Sequence, residues 1–230
     1  MPLPALRLLE KKFEEHIRLF ELKRGAIEKK IETHIRRFEE KNRVPIDDGV
    51  RFIRTWMEKP LSVGAVTPSG RALARAMAAY VDPTTDGPVI ELGPGTGPVT
   101  EALVTQGIDP ARLILVEFDP TFCRLLRERY PAATVVQGDA YSLKRVLGSQ
   151  LQEPAAAVVS SLPLFTKPLK TRLKLLYEAF ALMVPDSPFV QFTYATVPPI
   201  PKRLDRVRSE ASERIWMNIP PARIWVYRKD

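Results

Sequence analysis

Apolar and polar positions follow two rhythms along this chain, and the change between them near residue 88 divides it. From residue 5 to about 43, Phe13, Ile17, Phe20, Ile27, Ile31, Ile35 and Phe38 recur at helical spacing. The gaps carry Lys11, Lys12, Lys23, Lys29, Lys30, Arg36 and Arg37 among several Glu residues. This stretch holds no proline and one glycine, Gly25, so it predicts one long amphipathic helix. The narrow stripe fits three arrangements. The helix lies on its own domain, or it forms a coiled-coil seam (which Arg24 and His34 weaken), or it lies in a membrane interface with its basic residues near phosphates. Val44-Pro45 ends it, because proline disfavours helix in the residue before it. A shorter helix is expected from Asp47 to Lys59, then a turn at Val63-Gly64-Ala65-Val66-Thr67-Pro68-Ser69, then a helix to about Tyr80.

Beyond residue 88, short apolar runs alternate with helical patterns. Strands are expected at Pro88–Leu92, Arg112–Glu117, Ala133–Gln137, Ala155–Ser160 and Phe189–Tyr194. Helices are expected at Gly97–Gln106, from Asp119-Pro120 to Tyr130, and at Pro168–Met183. Arg214–Asn218 and Arg223–Tyr227, separated by Ile219-Pro220-Pro221-Ala222, read as a closing antiparallel pair. The alternation predicts an α/β fold with a parallel sheet covered on both faces and a ligand site at the carboxyl ends of the strands. The chain then has two parts: an arm, residues 1–44, and a body, residues 45–230.

Composition narrows the setting. With 230 residues and 45% hydrophobic content, the chain can bury a sizeable core, which excludes wholesale disorder. Its net charge of +8 favours anionic partners without choosing among nucleic acid, a phospholipid surface and a phosphorylated substrate. The single cysteine, Cys123, excludes an intramolecular disulfide. Both histidines, His16 and His34, fall in the arm, which disfavours zinc. No run of 18 apolar residues occurs, and Arg7 and Glu10 interrupt the start too early for a signal peptide, so a reduced, cytoplasmic setting is expected.

The candidate chemistry lies at three successive strand ends. Glu91-Leu92-Gly93-Pro94-Gly95-Thr96-Gly97 follows the first strand. Gly93 and Gly95 admit a ligand close to the backbone, and Gly97 opens a helix whose free N–H groups attract a carboxylate or phosphate. Glu117 ends the second strand, where a carboxylate can accept two hydrogen bonds from ribose hydroxyls. Asp139 ends the third, placed to accept from an adenine amino group, and Phe118 can cover the adenine face. The glycine spacing departs from the G-x-G-x-x-G dinucleotide fingerprint, and no Gly-Lys-Ser/Thr follows to make a P-loop.

On these residues the body resembles the class I S-adenosylmethionine-dependent methyltransferases, over roughly residues 63–228. The resemblance implies a Rossmann-like seven-stranded, mostly parallel sheet with an antiparallel last strand. It implies that Glu91, Gly93, Gly95, Thr96 and Gly97 hold the methionine end of the cofactor, Glu117 and Phe118 the ribose and adenine, and Asp139 and Ala140 the adenine, with Thr67, Ser69 and Ser160 as further cofactor-binding residues. S-adenosylhomocysteine would be the product.

The segment Val63–Ser69, Glu117-Phe118-Asp119-Pro120, Val136–Ala140 and Ser160-Ser161-Leu162-Pro163-Leu164 together resemble the soluble, PmtA-like phospholipid N-methyltransferases of bacteria. That resemblance implies stepwise methylation of phosphatidylethanolamine toward phosphatidylcholine. It also implies docking of residues 5–43 on an anionic membrane, peripherally at the inner face of the cytoplasmic membrane. A weaker similarity points to ribosomal RNA adenine dimethyltransferases, so nucleic acid stays as the second partner class; an oligomer is compatible with both.

Nucleobase amino-methyltransferases carry Asn or Asp, then Pro-Pro or Leu-Pro, then an aromatic residue after the fourth strand. Here that stretch is Ser161-Leu162-Pro163-Leu164, with Phe165 one residue later. An aliphatic amine has a pKa near that of Lys, about 10, and must lose a proton before it attacks. Aromatic faces and carbonyls suit its charge. Tyr141, Ser160, Ser161, the carbonyl of Leu162 and Tyr194 are therefore the candidate lining of the amine site, with Phe165 beside Tyr194 and Tyr141 a candidate base. Lys167, Lys170, Arg172 and Lys174, and Lys202, Arg203, Arg206 and Arg208, are candidates for the lipid phosphate, and Arg71 for a cofactor carboxylate or a phosphate.

Overall fold

A computed structural model describes residues 68–218 and 221–230. The expected helices at 5–43 and 47–59, the turn through Thr67, and the side chain of Ser69 lie outside the described residues, as does the division at residue 44. Helix α1 (Pro68–Ala78) opens on Pro68, whose missing N–H costs nothing at a helix start. Strands and helices then alternate: β1 (Val89–Leu92), α2 (Pro98–Thr105), β2 (Leu113–Glu117), α3 (Pro120–Arg129), β3 (Thr134–Gln137), α4 (Leu143–Leu147), β4 (Ala157–Ser160), α5 (Leu169–Phe180), β5 (Phe189–Thr193), β6 (Val207–Ala211) and β7 (Arg223–Lys229). Asp119 caps α3 as expected, accepting from the Thr121 and Phe122 N–H groups.

The seven strands form one sheet in the order β3-β2-β1-β4-β5-β7-β6. The first five are parallel, and β7 runs antiparallel between β5 and β6. The register aligns Leu92 with Val116 and Ser160, and Glu117 with Gln137. The loops after β1, β2, β3 and β4 therefore leave from one edge. The chain reverses spatial direction between β1 and β4, and sheets of this kind bind ligands in a crevice at that edge.

Strand alternation sorts the core into two halves. Val89, Leu113, Leu115, Val159 and Val190 pack with α1, α2 and α3 residues such as Met77, Leu103 and Leu126. Ile90, Leu92, Val116, Val158 and Phe189 pack with Leu143, Leu175 and Leu176 of α4 and α5. Burial on both faces explains the nearly continuous apolar runs of β1, β2 and β4.

The closing pair differs from the sequence expectation. The partner of β7 is Val207–Ala211, while Ile215 makes only a single bridge to Ala222. Only Val207 of β6 is buried, so this edge strand carries no apolar alternation by which to recognise it. Segment 214–218 instead turns back on itself, the Asn218 N–H donating to the Ile215 carbonyl at 3.2 Å.

Candidate functional site

The glycine loop needs its glycines. Gly93, Gly95 and Gly97 have φ of 68°, 58° and 87°, in the left-handed region that costs glycine least. A Cβ on Gly93 would sit 3.0 Å from Leu162 Cδ2, so this glycine lets the loop close against the segment after β4. A Cβ on Gly95 would meet none of the described residues within 4 Å. The loop is braced from the side: Arg129 donates to the Thr96 carbonyl, and the Tyr130 hydroxyl donates to the Gly97 carbonyl at 3.4 Å.

Glu117 ties this loop to the end of β2. One carboxylate oxygen accepts from the Gly95 N–H at 3.0 Å, and the other from the Phe118 and Asp119 N–H groups at 2.8 and 2.9 Å. A carboxylate offers about four acceptor sites, so one remains open. A ribose hydroxyl would use that site beside the backbone donors that hold the carboxylate in place. Phe118 stands beside it with 74% of its surface exposed, an apolar plate at the crevice rim. Asp139 is half-buried at the end of β3 and caps the following 3₁₀ turn, accepting from the Tyr141 N–H at 3.0 Å. Ala140 is buried beneath it.

Glu91 is fully buried and turns toward α2, where the Thr100 hydroxyl donates to it at 2.7 Å. Its other carboxyl oxygen has no partner among the described residues. Burial pushes its carboxyl up to about 8, opposed by the Thr100 hydrogen bond and assisted by the charge of Glu117.

After β4 the backbone is stitched across the crevice floor. The Ser161 N–H donates to the Leu92 carbonyl at 2.9 Å. Ser160 is fully buried and its hydroxyl oxygen accepts from the Leu162 N–H at 3.4 Å, which helps to shape the turn. Gln191 of β5 was not foreseen in the sequence. It is 1% exposed, lies opposite Ser160 in the sheet, and donates from Nε2 to the carbonyls of Leu162 and Phe192 at 3.0 and 2.7 Å. The Leu162 carbonyl therefore already has one donor. A lone Gln inside the apolar run Phe189-Val190-Gln191-Phe192 was the available signal.

The candidate aromatic wall does not assemble as expected. Tyr141 packs with the α4/α5 half of the core, whereas Tyr194 packs with the other half, its ring edge-on to Phe192 at 5.4 Å. Phe165 lies under the Arg172 guanidinium at 5.2 Å. Lys167 Nζ occupies a face of Tyr141 at 5.0 Å. Burial, and then the charge of Asp139, push the Tyr141 hydroxyl far above its ordinary value. A hydroxyl raised in this way gives up its proton less readily than a free tyrosine, which disfavours Tyr141 as the base. Tyr141→Phe is accordingly expected to slow methyl transfer by less than about tenfold and to leave the ascending limb of the pH–rate profile, where rate grows with pH, in place. A profile that lost this limb would return the base to Tyr141.

Several candidate phosphate ligands have structural partners. Arg172 is buried, with Nη1 donating to the Pro199 carbonyl at 2.6 Å, and so ties α5 to the loop after β5. Arg208 pairs with Asp186 and Asp230, and Lys174 with Glu178. Lys202 stacks on Trp225 at 5.0 Å. Lys170, Arg203, Arg206 and Arg71 contribute to no described ion pair. A separate cavity of about 700 Å³, lined by Asp86, Arg112, Thr134 and Gln150 among others, opens at the amino ends of β1, β2 and β3, on the edge opposite the glycine loop.

Residues 72–169, which carry the glycine loop, Glu117, Asp139 and the segment after β4, match the family model described as ribosomal RNA adenine dimethylase. The chain is 31% identical over 145 residues to the ornithine lipid N-methyltransferase of Singulisphaera acidiphila, an alignment covering 62% of this chain and 76% of that protein. The chain belongs to the class I S-adenosylmethionine-dependent methyltransferases. This methyltransferase is also 36% identical over 92 residues to ribosomal RNA small subunit methyltransferase A of a Synechococcus species, covering 39% of this chain but only 30% of that protein. Its fold matches an O-methyltransferase from Bacillus cereus, solved in complex with S-adenosylhomocysteine, with a TM-score of 0.55 at 12% identity over 84% of this chain and 96% of that one.

S-adenosylmethionine is thus the methyl donor, and the crevice suits it. Among the described residues the space above Gly95 is open and admits a ligand against the backbone, and one buried oxygen of Glu91 beside the glycine loop is left without a partner. The carboxylates of Glu117 and Asp139, at the ends of adjacent strands, offer a negative environment to a donor that carries a sulfonium and an ammonium.

Proposed function

We propose that this methyltransferase methylates the amine of phosphatidylethanolamine and of its mono- and dimethyl forms, toward phosphatidylcholine. Residues 5–43 hold it on the anionic inner face of the cytoplasmic membrane. The bound donor supplies a methyl group on a positively charged sulfur. Glu91, Gly93, Gly95, Thr96 and Gly97 hold its methionine end; Glu117, Phe118, Asp139 and Ala140 hold the adenosine. The amine nitrogen, once deprotonated, forms the new C–N bond as the C–S bond breaks, so its lone pair replaces the pair that leaves with sulfur. The chain's part is to hold the nitrogen in line, and orientation of this kind supplies much of the rate. The Ser161–Leu162 backbone is positioned for that, because its stitches to Leu92 and Gln191 fix it against the glycine loop.

The observation that carries the lipid reading is Leu164. At the place where a nucleobase enzyme presents an aromatic stacking surface, this chain has an aliphatic side chain that is 2% exposed and packed into the core. No base can stack on it. The relative named for an ornithine lipid supports an acceptor nitrogen carried on a lipid. The rRNA adenine reading is the alternative, favoured by the family model over residues 72–169.

Mass-spectrometric identification of the product tests the reading. With S-adenosylmethionine and phosphatidylethanolamine vesicles, successive additions of one, two and three methyl groups are expected. Methylation of ornithine lipid alone would reassign the lipid. Removing residues 1–43 is expected to abolish vesicle activity while binding of S-adenosylhomocysteine persists. Vesicle activity equal to that of the full chain would remove the docking role.

A further inference from the structure

Among the described residues, the largest adjacent exposure of apolar surface is not at the donor crevice. Trp216 is 71% exposed and Met217 is 73% exposed, side by side in the connection between β6 and β7. Two apolar side chains in water would mean little on a loose loop, but this connection is fastened on either side of them. Ile215 packs against the α1–α3 half of the core, Asn218 is 3% exposed and Ala222 is fully buried. The Ile215 N–H donates to the Ala222 carbonyl at 2.8 Å, and the Asn218 N–H donates back to Ile215. Asn218 and Ala222 are buried and Ile215 partly so, while Trp216 and Met217 are held outward.

Topology fixes where this tip lies. Arg223, the first residue of β7, pairs with Thr193, the last residue of β5, and Ala211 at the end of β6 pairs with Trp225. The connection from 212 to 222 thus leaves from the carboxyl edge of β5. That is the edge from which the glycine loop, Glu117, Asp139 and Ser161–Leu162 also project. The exposed pair and the methyl-transfer site share one edge of the sheet.

We propose that Trp216 and Met217 form a membrane-inserting wedge that sets the donor crevice against the surface of an anionic bilayer. The inference rests on the lipid reading of the acceptor. Tryptophan favours the headgroup boundary, where its ring is half in apolar surroundings and its N–H stays among polar groups. Methionine is flexible and packs among irregular acyl chains. The Arg214 guanidinium lies 5.9 Å from the Trp216 ring centre, which places a cation at the depth of lipid phosphates when the indole is inserted. The net charge of +8 acts in the same sense over longer range. A headgroup amine need not leave the bilayer to be methylated, because the wedge lowers the crevice onto it.

The wedge is tested with the full chain and vesicles of phosphatidylethanolamine and phosphatidylglycerol in equal parts, their acyl chains brominated. Bromine quenches tryptophan only at contact range. Comparison of the wild type with Trp216→Phe isolates the contribution of Trp216 from those of Trp56 and Trp225. The expected result is strong quenching of Trp216. The paired variant Trp216→Ser with Met217→Ser is expected to lose about tenfold or more of vesicle methylation. It should keep wild-type affinity for S-adenosylhomocysteine and wild-type methylation of dibutyryl phosphatidylethanolamine kept below micelle formation. No bromine quenching of Trp216, its quenching by RNA instead, or equal vesicle activity of the paired variant would overturn the proposal. If the wild type methylates neither form of the lipid, the acceptor reading fails, and the quenching still reports on the wedge by itself.

Discussion

Glu117→Ala is expected to weaken binding of S-adenosylhomocysteine by about 100-fold or more and to destabilise the protein by about 2–3 kcal/mol. The two losses share a cause. The carboxylate receives the N–H groups of Gly95, Phe118 and Asp119 at 2.8–3.0 Å while only 8% exposed. Alanine would strand three donors in a place water reaches poorly, and it would release the glycine loop from the end of β2. A residue that only touched ribose would cost affinity and leave the melting temperature alone. Glu117→Gln separates the contributions: its amide oxygen can still accept, but its NH₂ group faces a backbone donor, so it should fall between wild type and alanine in both measurements. Calorimetric titration and thermal unfolding of the three proteins check this. Unchanged affinity in Glu117→Ala would remove Glu117 from the donor site.

The second large effect is a pH dependence of stability centred on Glu91. Burial raises its carboxyl from 4.5 to about 8 in the folded protein. Between those two values the folded chain holds a proton that the unfolded chain has released. Stability conferred by this proton is complete below about 4.5 and is lost as pH rises toward 8, at up to about 1.4 kcal/mol per pH unit. Above about 8 both states are ionised and the loss is complete. Glu91→Gln keeps an acceptor for the Thr100 hydroxyl and has nothing to ionise. The variant should therefore match the wild type near pH 5 and exceed it progressively toward pH 8, as read by denaturant unfolding without the donor. Parallel curves for the two proteins would mean that Glu91 stays ionised in the fold.

The donor crevice was the most legible part of the sequence, because its chemistry depends on short, local patterns. Three glycines with positive φ and an acid at each of two following strand ends are written within 49 consecutive residues, 91–139. The parallel strands were legible for a related reason: burial on both faces leaves apolar runs bounded by turn residues. β6 was not, since an edge strand with one buried residue carries no periodic signal. The acceptor side was least legible. Which face of the sheet Tyr141 and Tyr194 pack on depends on strand order, and the adjacency of Gln191 to Ser160 depends on β5 pairing with β4. The sequence identifies such residues as aromatic or polar without saying which neighbours already use them. Arg172 makes the same point: one of several cations in its segment, it is the one that folding buries against Phe165 and Pro199.

The acceptor is the central claim, and direct competition tests it most plainly. The full chain is given methyl-labelled S-adenosylmethionine together with phosphatidylethanolamine vesicles and small ribosomal subunits in one reaction, and the label is then separated between lipid and RNA. Label is expected in mono-, di- and trimethylated phosphatidylethanolamine, with background counts in RNA. Label in adenine of the RNA, with none in lipid, would contradict that claim.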